Sequence, residues 1–101
     1  MKYMNLKYNT KDLGNICLKY QADYLGVFGS AVRGDDKTNS DVDLLVKFAP
    51  ENKGGLFELS AMRDDLEKLL NRKIDLLTEG FLSRYFKDEV LSQTKTLYVK
   101  T

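Results

Sequence analysis

The chain has 101 residues, 43% of them hydrophobic and 31% charged, which is typical of one small globular domain spanning residues 1–101. It has no histidine and one cysteine, which excludes histidine-based catalysis, zinc sites built on histidine or several cysteines, and an internal disulfide. The net charge of +1, the lack of a long apolar run and the lack of a signal peptide predict a cytoplasmic protein that binds neither nucleic acid nor membrane directly.

The first half of the chain predicts one helix followed by two strands. Apolar residues recur every three or four positions over residues 10–23, which predicts an amphipathic helix with Asn9 or Thr10 as its N-cap. Residues 24–28 are a short apolar run, which predicts a buried strand ending at Gly29. Residues 40–48 predict a second strand, because Val42, Leu44, Val46 and Phe48 form one apolar face while the other face is polar except for Leu45.

The second half predicts a helix over residues 56–71, a strand over 73–78 and a helix from 81 to about 94. Residues 97–99 fit either a turn or a short strand. The mixed charges of residues 63–68 predict a solvated helix face, and Cys17 is predicted to be buried on the first helix. This order of elements predicts an α/β or α+β domain around a small sheet.

Two carboxylates on the second strand are the first chemical signal. Because successive side chains of a strand alternate sides, Asp41 and Asp43 point the same way, with Cα atoms about 6–7 Å apart. Parallel carboxylates repel each other unless cations lie between them, and an all-oxygen ligand set favours Mg²⁺ or Mn²⁺. Alternatively, Ser40 and Asp41 cap a turn and Asp43 faces solvent.

A third carboxylate, Asp75, lies on the third predicted strand. The segment between the second and third strands is long enough for a helical crossover, so we expect these strands to be parallel neighbours with Asp75 beside Asp43. Three converging carboxylates suit a metal site better than a structural role. A solvent-exposed Asp75 is the alternative.

The turn after the first strand completes the pattern. Gly29 lets the backbone approach a ligand closely, and Ser30 offers a hydroxyl to a phosphate oxygen, although an ordinary tight turn has the same composition. The full spacing, Gly-Ser-x₁₀-Asp-x-Asp, is expected by chance in only about 0.003 of chains of this composition.

With these residues the chain resembles the polymerase-β-type nucleotidyltransferase superfamily, and within it the minimal nucleotidyltransferase (MNT) group. The likeness covers residues 24–99 and is carried by the segments GSAVRG, SDVDLLV, LFELSAMRDDLEKLL and KIDLL. It implies a polymerase-β-like fold in a single domain, with a small mixed sheet flanked by helices. Asn71 departs from the pattern, since relatives often have glycine there.

The resemblance also implies a role for each site residue. Gly29 and Ser30 would bind the triphosphate of ATP, and Asp41 and Asp43 would bind two Mg²⁺ ions, with Mn²⁺ as a substitute. Asp75 would complete the metal site and the catalytic triad. Arg33 would neutralise phosphate charge, with a structural salt bridge as the alternative role.

MNT proteins of this length are similar to antitoxins that form complexes with HEPN-family ribonuclease toxins. The resemblance therefore implies a protein adenylyltransferase that transfers AMP to a tyrosine of its toxin and forms a hetero-oligomer with it. Two alternatives stay open. The chain could silence the toxin by contact alone, or it could be a nucleotidyltransferase subunit for a small-molecule or nucleic-acid acceptor.

Overall fold

The computed structural model describes residues 8–29, 41–52, 55–81 and 87–100. In chain order, these form helix α1 (Thr10–Lys19), strands β1 (Ala22–Phe28) and β2 (Val42–Phe48), helix α2 (Leu56–Leu70), strand β3 (Ile74–Thr78), a 3₁₀ turn (Glu79–Phe81), helix α3 (Lys87–Gln93) and strand β4 (Lys95–Val99). The strands form one sheet in the order β3-β2-β1-β4, with β2 and β3 parallel and the other pairs antiparallel. The predicted small mixed sheet flanked by helices is confirmed.

The core lies between one face of this sheet and helices α1 and α2. The apolar stripes of both helices pack against alternate residues of three strands, and each fully buried aliphatic side chain contributes about 1.5–3 kcal/mol. The core includes Leu13, Cys17, Met62, Leu66 and Leu70 from the helices and Leu25, Val27, Val42, Leu44, Val46, Ile74 and Leu76 from the strands. The predicted burial of Cys17 is therefore confirmed.

Helix α1 is shorter than predicted. It begins after Asn9, whose side-chain oxygen accepts the backbone N–H groups of Lys11 at 2.8 Å and Asp12 at 3.2 Å. It ends at Lys19, not at residue 23, because Gln21 adopts a left-handed conformation with φ of 56°. Strand β1 consequently begins at Ala22, two residues earlier than predicted.

A short turn connects α2 to β3. Asn71 ends the helix with a left-handed φ of 54°, a conformation that asparagine tolerates better than most residues. This explains how the chain accommodates asparagine where glycine is common. The backbone N–H of Val42 then donates to the carbonyl of Lys73 at 2.8 Å, beside the first rung of the parallel β2–β3 ladder. The predicted crossover between parallel neighbours is confirmed.

The last third of the chain differs most from its prediction. The helix predicted from 81 to about 94 is confirmed over helix α3, whereas Phe81 belongs to the 3₁₀ turn and residues 82–86 lie outside the described residues. Residues 97–99 belong to β4, which pairs with β1 and extends the sheet, so the strand alternative is correct. In the described ranges, no helix is long and apolar enough to span a membrane.

Candidate active site

Asp43 and Asp75 lie side by side on the sheet face opposite to α1 and α2. Asp43 stands between the buried core residues Val42 and Leu44, so its side chain points away from the core. Asp75 stands in the same way between Ile74 and Leu76. The parallel register pairs Asp43 directly with Asp75, and neighbouring strands are about 4.8 Å apart. The expectation that these two aspartates are neighbours is confirmed.

Asp41 lies just before β2, and its side chain is exposed. Asp43 is half-buried and Asp75 is exposed. Across the parts of the chain that the structure describes, no three acidic, cysteine or histidine side chains are placed to hold a metal ion together. The strand register thus places Asp43 and Asp75 side by side, and Asp41 lies immediately before the first residue of β2.

Gly29 directly follows the last residue of β1 and lies against the side chain of Asp43. Its neighbour Phe28 pairs with Asp43 across the β1–β2 ladder, and Gly29 itself has a left-handed φ of 77°. A Cβ atom at this position would collide with Oδ2 of Asp43 and lie 3.2 Å from its Cγ. Glycine is therefore required both for the backbone conformation and for the space that the Asp43 carboxylate occupies.

Ser30 and Arg33 lie outside the described residues. Their predicted contacts with the nucleotide stay predictions.

The ligand chemistry at this edge of the sheet fits a hard divalent cation. Asp41, Asp43 and Asp75 offer oxygen alone, the chain has no histidine, and Cys17 is buried in the core on the other side of the sheet. Mg²⁺ and Mn²⁺ prefer such ligands.

A separate charged cluster lies further along the same face. Lys47 lies four residues beyond Asp43, about 13 Å along β2, and its Nζ is 2.8 Å from Oε1 of Glu79. Lys87 contacts the other carboxylate oxygen of Glu79 at 3.7 Å. The hydrogen bond from Lys47 is the main reason that the pKa of Glu79 is lowered. These residues form ion pairs with one another rather than with the aspartate pair.

An open cavity of about 600 Å³ lies at the far end of the sheet from Asp43. It is lined by Asp23, Tyr24, Lys47, Pro50, Glu51, Val99 and Lys100. None of the predicted site residues lines it, so it is not the predicted nucleotide site.

Two acidic residues of α2 have partners that the sequence did not reveal. Asp65 accepts hydrogen bonds from the Tyr20 hydroxyl at 2.6 Å and from Lys19 Nζ at 3.1 Å. Glu67 accepts the backbone N–H of Ile74 at 2.9 Å. The prediction of a wholly solvated face over residues 63–68 is therefore wrong at these two positions, because helical spacing does not show which turn or strand a helix faces.

The family model for the nucleotidyltransferase domain matches residues 14–97. This chain belongs to the nucleotidyltransferase family. A Methanocaldococcus jannaschii protein with the provisional name protein adenylyltransferase MJ0435 is 32% identical over 90 residues, which is 89% of this chain and 95% of the relative. Protein adenylyltransferase MntA of Thermococcus cleftensis is 39% identical over 69 residues, 68% of each chain.

Two solved complexes contain a chain of the same fold. A toxin–antitoxin crystal structure with AMP-PNP matches with a TM-score of 0.71 at 21% identity, over 92% of this chain and 75% of that chain. A tri-AMPylated Shewanella oneidensis HEPN toxin in complex with an MNT antitoxin matches with a TM-score of 0.55 at 16% identity, over 90% and 70% respectively. At these identities the two matches show the fold alone.

Proposed function

We propose that this nucleotidyltransferase is a cytoplasmic protein adenylyltransferase that transfers AMP from ATP to a tyrosine of a HEPN-family ribonuclease toxin and so acts as its antitoxin. The observation that carries the proposal is the in-register pair Asp43 and Asp75, with Gly29 against it. The names of the relatives support adenylyl transfer to a protein. The complexes of the same fold support a toxin as the acceptor.

The glycine-serine turn binds the triphosphate in this proposal. Gly29 has no side chain to keep a phosphate away from the backbone, and its left-handed conformation turns the chain at the end of β1. Ser30 donates its hydroxyl to a phosphate oxygen, and Arg33 offsets part of the phosphate charge.

Asp41, Asp43 and Asp75 are the residues that would hold two Mg²⁺ ions. Metal ions held there would supply neutralising charge to the triphosphate and would lower the pKa of the attacking hydroxyl. The backbone of Asp43 is fixed by strand pairing on both sides, through Phe28 and Asp75, so the direction of its Cα–Cβ bond is set before any ligand arrives. Such preorganisation reduces the cost of assembling the site.

In the transfer step, the tyrosine oxygen forms a bond to the α-phosphorus of ATP, and the bond from that phosphorus to pyrophosphate breaks. The phenolic proton passes to Asp75, which is exposed and can reach a group presented by a partner. Asp75 lies on the edge strand β3, so a tyrosine on the surface of a folded partner has access to it.

The test is the intact mass of a purified HEPN-family partner after incubation with this protein, ATP and Mg²⁺. We expect the partner to gain the mass of one or more AMP groups, and peptide mapping to place them on tyrosine. EDTA, and separately the variant Asp43→Asn, serve as controls and should abolish the gain. A partner that stays unmodified, although this protein is folded and Mg²⁺ and ATP are in excess, contradicts the proposal.

A further inference from the structure

Both polar groups of the peptide bond between Lys73 and Ile74 form hydrogen bonds. Its carbonyl accepts the N–H of Val42 on β2 at 2.8 Å, and its N–H donates to Oε2 of Glu67 on α2 at 2.9 Å. The described residues have no cis peptide bonds, and a trans peptide directs its C=O and N–H in opposite directions. Because the carbonyl faces β2, the N–H faces the outer edge of the sheet.

No described strand pairs with that outer edge, since β3 is the first strand in the order β3-β2-β1-β4. Ile74 is only 5% exposed, so its outward N–H needs an acceptor from the protein. Glu67 meets this need. It lies on α2 between Leu66 and Leu70, which are both buried in the core, so its backbone position is fixed relative to β3.

We propose that Glu67 is a positioning residue that keeps Asp75 in register with Asp43, an inference that rests on the proposed metal-dependent transfer. Asp75 directly follows the peptide that Glu67 holds. Among the described strands, β3 pairs only with β2, through a ladder of five residue pairs. The hydrogen bond from Ile74 to Glu67 supports the first of these pairs from the side of β3 that no described strand covers. A slip by one residue would turn Asp75 to the helix-covered face.

The experiment compares three variants of the full chain. Glu67→Ala removes the acceptor, and Glu67→Gln keeps an acceptor oxygen at the same reach. Glu58→Ala is the matched control. Glu58 is also on α2 and also accepts one hydrogen bond, from Asn52 Nδ2 at 2.9 Å, but it lies at the opposite end of the helix.

Two measurements do not depend on activity: the Mn²⁺ affinity by paramagnetic resonance titration, and the hydrogen exchange rate of the Ile74 amide. We expect Glu67→Ala to weaken Mn²⁺ binding about tenfold or more and to speed Ile74 exchange by a similar factor. Glu67→Gln should stay within about threefold of the wild type on both. Glu58→Ala should lower the melting temperature without changing the Mn²⁺ affinity.

The outcomes separate this inference from the proposed function. If the wild type transfers AMP but Glu67→Ala binds Mn²⁺ as tightly as the wild type, the positioning role is overturned and the function stands. If Glu58→Ala weakens Mn²⁺ binding equally, Glu67 acts only through general stability and the inference is also overturned. If Glu67 variants lose Mn²⁺ affinity while the wild type transfers no AMP, the positioning role stands and the function is overturned.

A wild-type protein that binds no Mn²⁺ overturns both proposals. Should Glu67→Ala not fold, Glu67→Asp replaces it, because its shorter side chain withdraws the carboxylate from Ile74. Unchanged Mn²⁺ affinity in a folded Glu67→Asp then overturns the positioning role.

Discussion

Gly29 links backbone conformation to the position of a carboxylate. Its φ of 77° costs a residue with a Cβ about 1–2 kcal/mol, and that Cβ would displace the Asp43 side chain. We therefore expect Gly29→Ala to lower the free energy of unfolding by that amount and to reduce AMP transfer far more than this loss of stability explains. The control is Gly80→Ala, where the nearest atom to a new Cβ is Thr78 Oγ1 at 3.8 Å. Chemical denaturation and transfer assays on both variants test this, and equal activity in the two would contradict it.

Asp43 and Asp75 should be needed for transfer but not for folding. Neither aspartate belongs to the core. Asp43→Asn and Asp75→Asn are each expected to abolish transfer and to leave the chain folded in EDTA, and the melting temperature of Asp75→Asn should be unchanged because Asp75 is exposed. Calorimetry in EDTA and a transfer assay with Mg²⁺ give the two readouts. Wild-type transfer rates in either variant would show that the metal-ligand assignment is wrong.

The buried thiol of Cys17 should make the free energy of unfolding fall as the pH becomes alkaline. Burial raises the pKa of its thiol from 9.0 to about 12. The unfolded chain therefore loses this proton at a lower pH than the folded chain, so stability is full below pH 9 and falls as the pH rises towards 12. Cys17→Ala should lose stability less steeply over that range than the wild type, by at most about 1.4 kcal/mol per pH unit. Urea unfolding at several pH values compares them, and parallel curves would contradict the prediction.

At the scale of elements, α1 is joined to α2 by a polar contact beside the core. Tyr20 donates to Asp65 Oδ2 at 2.6 Å, and this bond is the main reason that the pKa of Asp65 is lowered from 3.8. Tyr20→Phe should lower the free energy of unfolding by about 1 kcal/mol at pH 6. Because the folded pKa is the lower one, the difference from the wild type should be full above pH 3.8 and disappear as the pH falls through the lowered value.

Lys19→Met is the control for this contact, since it removes the other partner of Asp65. The Lys19 side chain is 64% exposed, so we expect a smaller loss that salt reduces further. Thermal unfolding at pH 6 and at pH 3, with and without added salt, distinguishes the two variants. A Tyr20→Phe deficit that persists in acid would show that the hydrogen bond to Asp65 is not its cause.

The pattern of apolar residues in β2 and the length of the segment between β2 and β3 were enough to predict the two strands that carry the site. The alternation from Val42 to Phe48 identified the buried face of β2, and the length of the following segment indicated a parallel partner, which together placed Asp75 beside Asp43. The end of α1 was missed because it depends on the left-handed backbone of Gln21, which has no strong residue signal. The position of Glu67 was missed because the approach of α2 to the start of β3 is a property of the packed structure.

At the scale of the whole molecule, the hydrophobic core and the candidate active site lie on opposite faces of the sheet. The helices α1 and α2 bury the apolar face, whereas Asp43 and Asp75 lie on the other face, near the start of the central strand β2 and of the edge strand β3. The sequence predicted this division in β2, where Val42, Leu44 and Val46 share one face and Asp43 lies on the other. Asp41 precedes the first residue of β2, where the ladder does not fix the direction of a side chain, so its predicted role beside Asp43 and Asp75 stays a prediction.

The same division leads to a prediction about how a toxin would be silenced. A catalyst can modify many partners, so substoichiometric amounts of this protein with ATP and Mg²⁺ should inactivate the toxin ribonuclease, and the toxin should stay inactive and carry AMP after this protein is removed. Asp43→Asn should lose this protection even though the helix-covered face is unchanged. Silencing by contact would instead require stoichiometric protein, would survive Asp43→Asn and would end on separation. The measurement is ribonuclease activity and intact mass of the toxin after purification from the complex. Full recovery of activity without added AMP would rule out chemical silencing and establish contact as the mechanism.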